Sequence, residues 1–138
     1  MYRWVEHTGE LELQVEAATE EEVFAEAGEA LATLLGEPEP EPVVRREVEA
    51  TASDRGALLA EWLNELVYLA DRGFLTERVV AVELSLEPDE NENHRHQVRA
   101  TVEGRPGTPR SLIKAATYHR LRLEREGVRW RGRVVLDV

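Results

Sequence analysis

At 138 residues and 15.7 kDa the chain has the length of one domain, able to bury roughly two-thirds of its unfolded surface. A composition of 42% hydrophobic and 33% charged residues suits a soluble globular protein and argues against disorder, and the absence of cysteine excludes disulfides, zinc–thiolate centres and cysteine nucleophiles. The net charge is −11, no apolar run approaches the ~20 residues of a membrane helix, and Met1-Tyr2-Arg3-Trp4 does not open a signal peptide; a cytoplasmic single domain over residues 1–138 is expected.

Residues 2–6 predict a short strand leading into His7-Thr8-Gly9. Leu11, Leu13, Val15 and Ala17 then alternate with Glu10, Glu12, Gln14 and Glu16, the period of a strand with one buried face. Thr19 and Glu22 form a capping box, and Val23, Ala27, Leu31 and Leu34 recur at helical spacing, so a helix is predicted over 20–35 with Gly36 ending it. The segment Glu37-Pro38-Glu39-Pro40-Glu41-Pro42 reads as a stiff acidic connector, because each proline biases its predecessor away from the α region.

A second alternating strand follows from Val43 to Ala52, after which Ser53 or Asp54 caps an amphipathic helix. Leu58, Leu59, Trp62, Leu66 and Leu69 form its apolar stripe, and Gly73 lies just past its end. Beyond residue 77 the pattern is all strand. Val80, Val82, Leu84 and Leu86 share one face, an acidic turn follows, and Val98, Ala100 and Val102 continue the pattern. A Gly/Pro-rich loop is predicted over 104–109, then a hairpin of 116–125 and 128–138 turning at Glu126-Gly127. The order β-β-α-β-α-β-β-β-β is an α+β arrangement, two helices packed on a mostly antiparallel or mixed sheet.

Charge is unevenly divided. Residues 94–138 hold ten arginines and one lysine against four acids, a net of +7, while residues 1–93 net −18. Such asymmetry fits either a basic surface for an anionic partner or late strands pairing with early ones through opposite charges. The second is favoured, because an acidic body repels nucleic acid at long range. Sixteen of the 17 basic residues are arginine, leaving Lys114 as the one lysine; either chance or a need for a compact ammonium accounts for it.

Most motif candidates fail on chemistry. Asp89-Glu90-Asn91-Glu92-Asn93 mimics the opening of a calcium loop, but His94 stands where glycine is required and Ala100 where a bidentate glutamate should be. His94 and His96 share a strand face without a third ligand, which is a weak metal signal. No nucleophile elbow, Walker loop or dinucleotide fingerprint exists, and Gly104-Arg105-Pro106-Gly107 reads as a turn.

The last strand places Trp130, Val134 and Leu136 on one face and Arg129, Arg131, Arg133 and Asp137 on the other. Asp137 beside the carboxylate of Val138 is either a hard-oxygen cluster for a divalent cation or an acid paired to arginine. In Lys114-Ala115-Ala116-Thr117-Tyr118-His119 and its continuation, period two puts His119 inward with Leu121 and Leu123, and Tyr118 outward with Arg120 and Arg122. Lys114, Tyr118 and Asp137 are candidate site groups.

Together these motifs resemble the archease family. Glu6-His7-Thr8-Gly9-Glu10 is similar to its D-H-T-A-D signature, Lys114 to His119 to its K-A-x-T-Y-H motif, and Val135-Leu136-Asp137-Val138 to its I-L-D-[IV] terminus. The stretch from Leu58 to Leu66 resembles its L-L-x-x-W-L-x-E-L helix. The likeness runs in order over essentially the whole chain. It implies an accessory protein, not an enzyme, that activates a GTP-dependent RNA ligase joining 2′,3′-cyclic-phosphate or 3′-phosphate ends to 5′-hydroxyl ends. Activation would proceed by promoting ligase guanylylation and multiple turnover in tRNA splicing and RNA repair, with RNA met only through the ligase.

Carried over by position, the resemblance implies a divalent cation, calcium, on Glu10, Asp137 and Val138, with Lys114 as the functional lysine. Glu6 and Glu10 stand where the family has aspartates, and Gly9 where it has alanine; glutamate keeps the charge but adds one methylene. Two alternatives from other classes are a stand-alone metal-dependent phosphoesterase or hydrolase using Glu10, Asp137 and Lys114, and a general chaperone-like protein.

Overall fold

The computed structural model describes all residues except Asp89, Glu92, Ser111 and Leu112. The alternating amino-terminal residues form strands β1 (Tyr2–His7) and β2 (Glu10–Ala17), joined at Gly9, whose φ of 72° permits the tight turn. Helix α1 (Glu20–Ala32) begins at Thr19, whose side chain accepts the Glu22 N–H at 3.1 Å, with Glu20, Glu21 and Glu22 at the positive end of its dipole. After strands β3 (Gly36–Pro38) and β4 (Val44–Ala52), Asp54 caps α2 (Arg55–Asp71) by accepting from Ala57 N–H at 2.8 Å. Strands β5 (Phe74–Pro88), β6 (His94–Pro109), β7 (Ala115–Glu126) and β8 (Arg129–Asp137) complete the chain.

Two antiparallel sheets result. The first has the order β1-β2-β8-β7, so β8 sits between strands distant from each other in sequence. In the second, β6 pairs with β5, β4 and β3. Both helices contact both sheets. Trp62 is fully buried between the helices, and its indole N–H donates to the Phe24 carbonyl of α1 at 2.9 Å. The expected stripe of α2 is there: Leu58, Leu59, Trp62 and Leu66 are buried, joined by Leu63, with Leu69 at the margin.

The α+β expectation holds, with four local corrections. Helix α1 ends at Ala32, not at Gly36, which instead opens β3. The Glu-Pro connector is therefore partly strand, an eighth one, because Gly36–Pro38 pairs with Gly107–Pro109. The predicted loop over 104–109 is the end of β6. Its glycines serve close backbone approach: a Cβ at Gly104 would collide with the Leu75 carbonyl, and one at Gly107 with the Glu37 carbonyl. In β5, register shifts between Thr76 and Arg78 and between Val79 and Ala81 put Val79 against the core and leave Val80 exposed.

The charge asymmetry is resolved by strand pairing. Arg99 bonds Glu49 at 2.8 Å and Arg45 bonds Glu103 at 3.2 Å, each pair directly opposed across β4 and β6. Arg105 grips Glu77 with two bonds of 2.9 and 2.5 Å, and Arg129 reaches Glu16 at 2.8 Å. In three of these four pairs a late arginine meets an early glutamate, and Arg45–Glu103 runs the other way. Among the described residues no helix is long and apolar enough to cross a membrane.

Candidate functional site

The outer face of the first sheet brings the predicted residues together. Glu10 on β2 and Asp137 on β8 are direct register partners, which places their Cβ atoms about 4.5–5.5 Å apart. His7 on β1 lies opposite Glu10, and Ala115 on β7 opposite Asp137. Lys114 is exposed just before β7, with its backbone N–H donating to the Asp137 carbonyl at 2.9 Å. Glu10 therefore meets two residues more than a hundred positions away, Lys114 and Asp137, at one end of the sheet. Asp137 and Val138 are both exposed, and Glu10 is half-buried.

The start of β7 is fixed by α2. Asn64 acts like a strand neighbour, its amide donating to the Ala116 carbonyl at 3.2 Å while its oxygen accepts the Ala116 N–H at 2.8 Å. The Thr117 hydroxyl donates to the Val135 carbonyl at 2.9 Å, and the Tyr118 hydroxyl donates to Glu61 at 2.7 Å. That bond to Glu61, with partial burial and the nearby charges of Glu61 and Asp54, raises the Tyr118 pKa and keeps the phenol protonated. Lys114 is thus held by anchors on both strands and helix.

Beyond Thr117 the pairing is irregular: Thr117 faces Val135, whereas the next register pair is Arg122 with Arg133. The intervening residues bulge, and Arg120 takes φ 55°, the left-handed region that strains a residue with a Cβ. Two consequences follow. His119 is exposed rather than inward, while Leu121 and Leu123 still pack on the core. Arg120 swings back over the sheet, donating to Glu10 at 3.1 Å and lying 3.9 Å from Glu12.

Glu12 is a buried carboxylate at 5% exposure, one row below Glu10. Burial opposes its ionisation, yet the hydrogen bond from Gln14 at 2.6 Å and the charges of Arg133, Arg120 and His7 together hold its pKa below the ordinary value of 4.5. Because the folded pKa lies below the unfolded one, ionised Glu12 stabilises the fold above the unfolded pKa, and that contribution disappears as pH falls through the folded pKa. Urea unfolding at pH 7 should accordingly show Glu12→Gln less stable than wild type, with the difference closing toward pH 3. A difference that persists or widens in acid contradicts this.

Neither Glu12 nor Arg120 was singled out by the sequence patterns. A glutamate inside an alternating strand carries no sign of burial, and Arg120 arrives through a bulge. Among the described residues no group of three or more His, Asp or Glu side chains is arranged to hold a metal ion. His94 is exposed and His96 half-buried on β6, and neither belongs to such a group among those residues. The calcium-loop mimic at 89–93 includes Asp89 and Glu92, which lie outside the described residues.

Comparison with known proteins decides the family. The model of the archease protein family matches residues 2–138. The chain belongs to the archease family. Curated archeases from Methanosarcina mazei and Methanopyrus kandleri are each 32% identical to it. The first alignment covers 99% of this chain and 95% of the relative, the second 97% and 96%. The fold is shared with Methanobacterium thermoautotrophicum protein 1598, solved in solution, at a TM-score of 0.71 and 22% identity, over 99% of this chain and 98% of that one. It is also shared with the Thermotoga maritima archease, described as a possible chaperone, at a TM-score of 0.64 and 20% identity, over 100% and 98% of the two chains. Three of the motifs noted in the sequence, those carrying Glu10, Lys114 and Asp137, converge at the end of the first sheet, while the fourth lies on α2 in the core.

Proposed function

We propose that this archease-family chain is an accessory protein that activates a GTP-dependent RNA ligase by protein–protein contact, promoting ligase guanylylation and so multiple turnover in tRNA splicing and RNA repair. The observation that carries this reading is the meeting of Glu10, Asp137 and Lys114 at one exposed sheet end in a member of that family. An acidic body suits docking on a basic RNA-processing enzyme while leaving RNA to that enzyme. The experiment is to count ligations per ligase molecule with GTP and a divalent ion, with and without this protein. Turnover should rise from about one to many; no change with the cognate ligase overturns the reading.

A divalent cation, calcium, belongs to the same proposal, on Glu10, Asp137 and the Val138 carboxylate. The donor set fits a hard cation, since Glu10 and Asp137 oppose each other directly and all donors are oxygens. When bound, the ion would concentrate positive charge at the sheet end. Arg120 already holds Glu10, so it competes with the ion for that carboxylate. Arg120→Ala should therefore bind calcium several-fold more tightly than wild type in a calorimetric titration. Unchanged or weaker binding counts against Glu10 as a ligand.

A second reading, general chaperone activity, is favoured by the description of the Thermotoga maritima relative alone. It requires that unrelated clients be protected from aggregation. Phosphatase and nuclease assays on the isolated protein test the remaining hydrolase alternative.

A further inference from the structure

The same sheet face carries a second, basic feature. Two rows below the carboxylate pair, Arg3, Gln14, Arg133 and Arg122 lie side by side across all four strands, and the next row sets Arg131 beside Glu16. These residues line an open groove of about 590 Å³. Asp137 and Arg133 are four residues apart on β8, about 13 Å at strand rise, so the groove is distinct from the carboxylate end.

Arg131 of this groove is paired with Glu16 and Glu126, but its other arginines are not so matched. Arg3 donates to the neutral Gln14 amide at 2.5 Å. Arg133 is half-buried and uses its Nε on the Arg120 carbonyl at 2.9 Å. Among the described residues neither Arg3 nor Arg133 has a carboxylate within 4.0 Å, and the terminal nitrogens of Arg133 have no hydrogen-bond partner. Among the described residues the carboxylate nearest Arg122 is that of exposed Glu124, at 3.5 Å. Moreover Arg122 and Arg133 are direct register partners, and like charges directly opposed on neighbouring strands destabilise a sheet. In a protein of charge −11 that matches most late arginines with glutamates, Arg122 and Arg133 are set against each other, and Arg133 meets a carboxylate charge only at longer range, in Glu12.

We infer that this groove binds the phosphate of a nucleotide-sized ligand. Guanidinium forks suit phosphate oxygens, and here they converge from three different strands. A long polyanion would be repelled by the acidic body, whereas a small phosphate ester feels chiefly the local basic field. The inference stands independently of the ligase reading. Phosphate from a free nucleotide and phosphate from an RNA end are the same chemistry at this groove.

The test is a calorimetric titration at fixed ionic strength with inorganic pyrophosphate, adenosine diphosphate, a 3′-phosphorylated RNA dinucleotide and a hexaglutamate peptide. Saturable binding of the phosphate probes is expected, weakened about tenfold in Arg3→Gln/Arg122→Gln. Arg99→Gln, on the other sheet, should leave it unchanged. The double variant removes like charges, and its thermal unfolding reports that it folds. Tighter binding of the diphosphate than of the dinucleotide supports a free nucleotide, and the reverse an RNA end. No saturable binding of any phosphate probe, equal weakening in Arg99→Gln, or tighter binding of hexaglutamate than of pyrophosphate overturns the inference.

Discussion

Asp137→Ala and Lys114→Ala should each fold as the wild type does and lose stimulation of ligase turnover by tenfold or more. Both side chains are exposed, so truncating them opens no cavity and strands no buried partner. The bond that ties this end of the sheet together runs from the Lys114 backbone N–H to the Asp137 backbone carbonyl, and alanine retains both groups. What each variant loses is charge at one point of the surface. A tenfold change needs only ~1.4 kcal/mol of barrier, well within what one misplaced charge supplies in a docked, partly dehydrated complex. Lys114→Arg separates charge from shape: if a compact ammonium is required, the planar guanidinium should restore little. Wild-type turnover in both alanine variants, with unfolding midpoints unchanged, would remove these residues from the proposed site.

Trp62→Ala is expected to have the largest effect on the fold, about 3–5 kcal/mol. The indole is fully buried, and its ring touches the site where Gly28 of α1 comes closest: a Cβ there would meet the Trp62 ring at 3.0 Å. Removing it leaves a void between two helices that both sheets depend on, with little freedom to collapse. Trp62→Phe should cost less, since it keeps most of the volume and loses the N–H bond to Phe24, worth about 1 kcal/mol. Denaturant unfolding measures both. A Trp62→Ala loss below about 1 kcal/mol would mean that the helices repack, and the central role given to this contact would fail.

Legibility of the sequence followed the range of the interactions. Helix α2 and strand β2 could be read directly because their periods, 3.6 and 2, are properties of neighbouring residues. Strand β3 could not, since Gly36–Pro38 is a strand only by virtue of Gly107–Pro109, some seventy positions away. Counting by twos also fails wherever a bulge inserts residues, as at Val80 and at His119, both of which end exposed. The candidate site was legible only through its motifs. Glu10, Lys114 and Asp137 could be named, yet their proximity depends on β2 and β7 flanking β8. Arg120, which now holds Glu10, was hidden by the irregularity that delivers it.

The central position of β8 also governs when the first sheet can form. Its partner β2 spans Glu10–Ala17, and the matching residues of β8 run from Asp137 back to Trp130, more than a hundred positions later. At about 5–20 residues per second, the β1–β2 hairpin waits roughly 6–25 s during synthesis with one side of β2 unpaired. The acidic residues that alternate along it, Glu10, Glu12 and Glu16, discourage pairing with other nascent chains during that interval. Closure of the sheet is consequently a late, long-range step, which favours slow folding for a protein of this size.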